Sequence, residues 1–302
     1  MGWTAAEIPD LTGRRAVVTG ANSGLGLYTA LELARRGAQV VLACRDTGRG
    51  REAAGRIAAA VGDADRVSTA ELDLADLVSV RSFAARQVKE PLDLLVNNAG
   101  VMAVPRATTA DGFEMQFGVN HLGHFALTGL LLPALLERPG ARVVTVSSFA
   151  SFMGRIDFDD LQWEKRYSRW GAYGRSKLAN LLFAKELDRR YEGLDSLVAH
   201  PGYAATNLMD SSVRLGGNPV EAAAYWLGSH TVALSSPFAA LSTLRAATDP
   251  RAKGGQVYGP RFVMQGPPAV GRLNPKGDDV ELARRLWDVS TELTGVDYQR
   301  GA

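Results

Sequence analysis

Short apolar runs alternate with longer stretches of helical spacing along most of this chain. Arg15 to Thr19 is a β-branched run, and Leu25, Leu27, Leu31 and Leu33 then recur at helical spacing until Gly37 stops the pattern. Gln39 to Ala43 predicts a second strand, and further runs predict strands at 66–71, 92–96, 142–147, 196–200 and 256–258, seven in all. Runs as continuously apolar as Val143-Val144-Thr145-Val146 suit a parallel sheet covered on both faces. The alternation predicts one doubly wound α/β domain over residues 1–302, with helices on both faces of a mainly parallel sheet.

Two segments stand apart from that rhythm. Residues 203–230 are rich in Gly, Ser and Asn, with Tyr203, Leu208, Met209, Val213, Leu215, Tyr225 and Trp226 scattered through them. A loop of that length in a compact domain is usually functional, so an apolar substrate pocket and ordinary core or subunit packing both remain open for it. From about 279 to 294, Leu282, Leu286, Trp287, Val289 and Leu293 predict an amphipathic helix that packs on the domain, forms a subunit contact or acts as a lid.

Composition narrows the class. Hydrophobic residues make up 46% and charged residues 22%, as in soluble globular proteins. Net charge is +2 with no clustered Lys/Arg stripe, so no nucleic-acid partner is expected, and Arg49, Arg51 and Arg56 read as a solvated helix face. Cys44 is the only cysteine, which excludes an intrachain disulfide and suits a reducing, cytoplasmic setting. Glu7, Pro9 and Asp10 stand near the start without an apolar stretch, so no signal peptide is expected. The Leu130–Leu136 run is too short and is broken by Pro133, so no membrane-spanning segment is expected either.

The densest chemistry begins at a strand-to-helix joint, Thr19-Gly20-Ala21-Asn22-Ser23-Gly24-Leu25-Gly26. Helix-start N–H groups lack internal partners and sit at the positive end of the helix dipole, so a pyrophosphate is well placed there; glycine lets the chain approach it. The spacing is neither G-x-G-x-x-G nor a P-loop. At the end of the second strand an acidic residue would accept hydrogen bonds from an adenosine ribose, whereas arginine suits a 2′-phosphate. Cys44 stands where that acid is expected and Arg45 follows, which favours NADP(H) over NAD(H); the plainer reading is that Arg45 solvates a strand end and Asp46 caps a helix.

Further along, Tyr173 and Lys177 stand four apart in a helix-compatible stretch and share one face. A phenol has an ordinary pKa of about 10, and a neighbouring ammonium favours its ionised form. Such a tyrosine exchanges a proton with a carbonyl or alcohol oxygen while hydride moves at carbon. Val146-Ser147-Ser148 places a hydroxyl at the carboxyl edge of the sheet, where open α/β proteins bind ligands.

These motifs resemble the short-chain dehydrogenase/reductase family over nearly the whole chain, and that resemblance implies a Rossmann-type fold. Thr19 to Gly26 resembles the family's TGxxxGxG turn, with Gly20, Asn22, Ser23, Gly24, Leu25 and Gly26 implied as cofactor contacts. Asn97-Asn98-Ala99-Gly100 resembles its NNAG motif, adding Asn98, Ala99 and Gly100, and Asp73-Leu74 resembles its adenine-contacting pair. Pro201-Gly202 with Thr206 resembles the stretch that holds the nicotinamide. Asn120, Ser148, Tyr173 and Lys177 match the catalytic tetrad: Tyr173 as general acid/base, Lys177 as its partner and ribose anchor, Ser148 as carbonyl orienter, and Asn120 as holder of a relay water. Ser148 is preferred to Ser147 because the family uses the second of the pair. Within the family, Cys44-Arg45-Asp46, Asn120 to Phe125 and Ser176 to Asn180 look most like the retinol dehydrogenase and WW-domain oxidoreductase group.

Ser148 and Tyr173 stand further apart than in compact members, and Phe152, Met153, Ile156, Phe158, Leu161 and Trp163 between them are expected to wall the site. The N-terminal hydrophobic anchor of membrane-bound retinol dehydrogenases is not expected here, so retinoid activity does not carry over by itself. The resemblance implies an NADP(H)-preferring enzyme that interconverts a carbonyl and an alcohol on a small, lipophilic molecule, with a homo-oligomer among the options. A carbon–carbon double-bond reductase, a nucleotide-sugar epimerase and a non-catalytic NADP(H) sensor share parts of the pattern. His121, His124, His200 and His230 form no HExxH or Cys/His cluster, so no metal site is expected; His121 and His124 are expected to pack or hydrogen-bond inside the fold.

Overall fold

The computed structural model describes residues 2–202 and 235–298. Its sheet has eight strands in the order β3-β2-β1-β4-β5-β6-β7-β8. These are β1 Arg15–Thr19, β2 Gln39–Cys44, β3 Val67–Glu71, β4 Leu94–Asn97, β5 Arg142–Val146, β6 Asp195–Ala199, β7 Val257–Pro260 and β8 Pro268–Gly271. The first seven run parallel, with Val17 opposite Val41 and Val96 opposite Val144. β8 is antiparallel to β7, pairing Val257 with Gly271. It is the strand missing from the seven expected. Pro267, Pro268 and Gly271 give it the composition of a loop, and it becomes a strand only because a hairpin lays it along the sheet edge, where proline is tolerated.

Alternate strand residues feed opposite cores, as the two-residue period requires. Val18, Leu42, Val96, Val144 and Leu197 pack against α1 (Gly24–Arg35), α2 (Thr47–Val61) and α6 (Ser236–Thr248). Val17, Val41, Leu95 and Val143 face the other way, towards α3 (Leu77–Gln87) and α4 (Met115–Leu136). On that second face lie also α5 (Arg169–Arg190) and α7 (Val280–Thr294).

Two helices on this second face matter for the site. α4 is 22 residues long and apolar enough, by length and composition, to cross a membrane, because the structure continues Leu130–Leu136 back to Met115. Its most apolar stretch is 78% buried inside the domain, and an all-round apolar helix is what a covered core position demands. Residues Gly118–Leu122 within it form a π-turn, an insertion that often marks functional positions. α7 uses its apolar stripe for packing: Trp287 lies edge-on to Phe125 at 5.1 Å and stacks with Phe183 at 5.8 Å. Asp279 caps its start through Leu282 N, and Gly295, at φ 60°, ends it.

Candidate active site

The strand order reverses between β1 and β4, and that switch point is where open α/β sheets bind ligands. A cavity of about 690 Å³ opens there. Gly20, Asn22, Ser23, Gly24, Leu25 and Gly26 line its floor, with Asn98, Ala99 and Gly100 opposite. Gly20 and Gly24 hold φ values of 65° and 54°, which L side chains rarely adopt. A Cβ on Gly26 would lie 2.6 Å from the Gly20 carbonyl oxygen, so the turn closes only without one. Ser23 heads α1 without a side-chain cap bond, and the first-turn N–H groups lie at the cavity. Asp73 and Leu74 line the cavity too, held close to α4 because Gly123 lets the Leu74 carbonyl approach. The residues present therefore fit a dinucleotide, pyrophosphate at the helix start and adenosine towards β2.

At that adenosine edge, Cys44 is buried and its thiol accepts from the backbone of Ala21 and Asn22; burial pushes it up to about 11. Arg45 and Asp46 line the cavity, and Asp46 also caps α2 through Arg49 N at 3.0 Å. Arg49, Arg51 and Arg56 of α2 are exposed, as the solvated-face reading expects, and part of that face borders the cavity. Arg49, Glu52, Ala53 and Arg56 line the cavity, an i, i+3, i+4, i+7 stripe, and Arg51 does not. That stripe was readable as a period but charged residues on it do not announce whether it faces solvent or a ligand.

Gly100 joins the cavity to the other cluster. A Cβ there would sit 2.9 Å from Asn120 Oδ1 and 3.7 Å from Lys177 Nζ. The Asn120 amide is fully engaged: Nδ2 donates to Val101 O and Ser176 Oγ, both at 2.9 Å, and Oδ1 accepts from Val101 N. The Asn120 main-chain carbonyl also has a partner, His124 Nδ1 at 3.0 Å. Ser176 in turn donates to Tyr173 O at 2.8 Å, stitching the π-turn to α5. Ser147 is spent structurally, donating to Lys177 O at 2.7 Å, whereas Ser148 reaches the Tyr173 hydroxyl.

The ionisation of the pair departs from the simplest expectation. Burial pushes the Tyr173 phenol up to about 12, and the Ser148 hydrogen bond pulls only partly back. Lys177 Nζ stands 5.7 Å from the Tyr173 ring centroid and donates instead to Val146 O at 3.2 Å. Its own burial pushes Lys177 down to about 8. Here desolvation outweighs the attraction that would lower the phenol.

The Tyr173 ring packs with Met102, Ala103 and Ala150, an apolar floor beside the hydroxyl. Ala103 holds φ 45°, clamped by Gln116 Oε1 at its N–H and Arg169 Nε at its carbonyl. None of Phe152, Met153, Ile156, Phe158, Leu161 and Trp163, expected to wall the site, lines the cavity described above. Ile156 and Leu161 turn inward to a core cluster with Phe117, Leu178 and Leu286, while Phe149, Phe152 and Met153 stay exposed. Arg175 holds the segment to α5, donating to the carbonyls of Arg155, Asp160 and Leu161 and lying over Trp163 at 4.4 Å. Pro201 and Gly202 follow β6, with Gly202 at φ 77°. Thr206, His230 and the apolar residues of 203–230 lie outside the described residues.

The other histidines are buried and hydrogen-bonded: His121 to Ser290 Oγ, His124 to Thr19 Oγ1 and Asn120 O, His200 to Val263 O. Among the described residues, no group of three or more His, Cys, Asp or Glu side chains is placed to hold a metal ion. Burial pushes His121 down to about 3, and His124 and His200 to about 4, from an ordinary 6.5. The unfolded chain therefore binds more protons than the fold between those values, so stability is full above 6.5 and falls as pH drops towards 4. A Tm series across that range should decline accordingly, and a flat profile would count against neutral buried rings.

The profile of the short chain dehydrogenase family matches residues 14–214. The chain belongs to this family. Human retinol dehydrogenase 13 is 44% identical over 310 residues, covering 97% of this chain and 87% of that protein. The crystal structure of an uncharacterized protein from Mycobacterium paratuberculosis superposes with a TM-score of 0.82 at 45% identity, covering 99% of this chain and 100% of that one. An active-site complex of Pseudomonas aeruginosa RhlG with NADP gives a TM-score of 0.64 at 25% identity, over 83% of this chain and 95% of the other. As a short chain dehydrogenase related to the retinol dehydrogenases, the protein is a nicotinamide-dependent oxidoreductase of alcohols and carbonyls. Its substrates are small molecules.

Proposed function

We propose that this enzyme prefers NADP(H) and interconverts an alcohol and a carbonyl on a small lipophilic molecule in the cytoplasm. The observation that carries the cofactor preference is the adenosine edge of the cavity, where Arg45, Arg49 and Arg56 gather and Cys44 replaces an acid. Guanidinium groups suit a 2′-phosphate, and no carboxylate occupies the Cys44 position to repel it. The apolar floor of Met102, Ala103 and Ala150 supports a lipophilic substrate. The lone buried thiol suits a reducing compartment.

A bound nicotinamide supplies or removes the hydride. Tyr173 holds the proton at its phenolic oxygen and passes it to the substrate oxygen, and a phenol kept protonated by burial is prepared to act as the acid. Ser148 orients both the phenol and the substrate oxygen. Lys177 Nζ, buried beside Gly100, holds the ribose end of the site and offsets the charge left on Tyr173. Asn120 fixes Val101 and the Tyr173 helix, and it is the anchor for a relay water. Asn22, Ser23, Leu25 and Gly26 take the pyrophosphate, Asp73 and Leu74 the adenine side, and Pro201, Gly202 and Thr206 the nicotinamide side.

Fluorescence titration with NADPH and NADH, repeated on Arg45→Asp, tests the preference. Losing a charge-assisted hydrogen bond should weaken NADPH binding about 10–100-fold and leave NADH binding much less affected. Tighter NADH binding by the wild type would overturn the preference, and binding of neither dinucleotide would overturn the cofactor site.

A further inference from the structure

His124 is buried at 1% exposure on α4, two residues past the π-turn and distant in sequence from the glycine turn it touches. Its Nε2 lies 2.9 Å from Thr19 Oγ1 and its Nδ1 lies 3.0 Å from Asn120 O. The hydrogen positions follow from the partners. Asn98 N and Ala99 N both donate to Thr19 Oγ1 at 2.9 Å, filling its lone pairs. The Thr19 proton is then free for His124 Nε2, a shorter contact than the 3.3 Å to Val96 O. A carbonyl only accepts, so Nδ1 carries the ring proton. One neutral tautomer satisfies every bond.

These bonds run in one line. Asn98 and Ala99 line the cavity; their N–H groups reach Thr19, the ring and the Asn120 carbonyl. From Asn120 the amide continues through Ser176 to Tyr173 O. We propose that His124 is a positioning residue that ties the dinucleotide floor to the Asn120 turn, so that occupancy of the cavity and the setting of that turn are linked. It touches neither substrate nor cofactor and acts through Thr19 and Asn120. The inference rests on the dinucleotide reading given above.

A conservative substitute exists. Glutamine carries one acceptor and one donor on a planar amide and can replace both ring contacts, whereas leucine replaces neither. The test uses the full chain, with NADPH as the probe and imidazole nitrogen NMR as the readout. The four histidines are few enough to assign, His124→Gln identifying the signal that disappears. The wild-type His124 should show the Nδ1–H tautomer, and saturating NADPH should move its Nε2 resonance; Thr19→Val should abolish that movement. His124→Leu should weaken NADPH binding about fivefold or more, the low end for linked sites, while His124→Gln stays near wild type. Losses from Thr19→Val and His124→Leu should not add in the double variant.

An Nε2–H tautomer, an unmoved resonance with NADPH bound, or additive losses would overturn the proposal while leaving the cofactor site standing. Equal binding by the leucine variant would do the same. Should the His124→Leu variant fail to fold, the His124→Gln and Thr19→Val arms still decide. Failure of NADPH and NADH alike to bind the wild type would remove the cofactor reading, and this inference with it.

Discussion

Tyr173→Phe should lose about 10²–10⁴-fold in turnover while still binding NADPH, because it removes the proton carrier and nothing else. The ring is 6% exposed, packed with Met102, Ala103 and Ala150 and edge-on to Trp170 at 6.2 Å, and phenylalanine preserves that shape. The hydroxyl's partner is Ser148, whose oxygen keeps the bond it accepts from the Ala150 N–H at 3.2 Å. Tm should therefore hold. Paired measurement of NADPH affinity and NADPH oxidation over a carbonyl panel separates the outcomes. Undiminished turnover would deny Tyr173 its acid/base role, and a wild type that binds yet never turns over would favour a cofactor sensor.

Gly26→Ala attacks the other half of the machinery. The added methyl would stand 2.6 Å from the Gly20 carbonyl and 2.6 Å from Asn98 Nδ2, closer than carbon tolerates. Asn98 Nδ2 also donates to Thr19 O at 2.8 Å, so the side chain cannot yield without breaking the joint between β1 and β4. Overpacking of this kind costs about 1–3 kcal/mol, which in the floor of the cavity should weaken NADPH binding about 10–100-fold. Titration of the folded variant checks it, with circular dichroism to establish that the sheet survives. Wild-type affinity would mean that the turn opens without cost and that these glycines do not shape the cradle.

The fold was legible where residues act alone or with near neighbours. Short apolar runs marked the first seven strands, and the glycine turn marked the β1–α1 joint, since both signals are local. β8 was hidden because its residues have no strand preference of their own; only closure of the hairpin onto β7 gives them one. The π-turn around Asn120 was hidden because one extra residue in a helical turn leaves no distinct mark in the run Gly118-Val119-Asn120-His121-Leu122. In the site, the sharing of one helix face by Tyr173 and Lys177 was legible through spacing, whereas Ser148 was preferred to Ser147 only through the family resemblance. The depressed phenol was not what the structure holds, since four-residue spacing says nothing of where a lysine points once Val146 O is available. Likewise the bond from His124 to Thr19 spans 105 positions and exists only after β1, β4 and α4 have met.

Arg175 sits between Tyr173 and Lys177 on the same helix, yet its guanidinium faces away from the chemistry and grips three carbonyls of the segment beyond Ser148. The 155–161 segment and the helix that carries Tyr173 are thereby one mechanical unit. A relative that changes its substrate can exchange exposed side chains such as Phe149, Phe152 or Met153 at little cost, but it cannot lengthen or re-route the backbone of 155–161 without disturbing the tyrosine. Diversification in this branch is accordingly expected to be a matter of side-chain replacement on a fixed loop path, with insertions confined to places that the guanidinium does not hold.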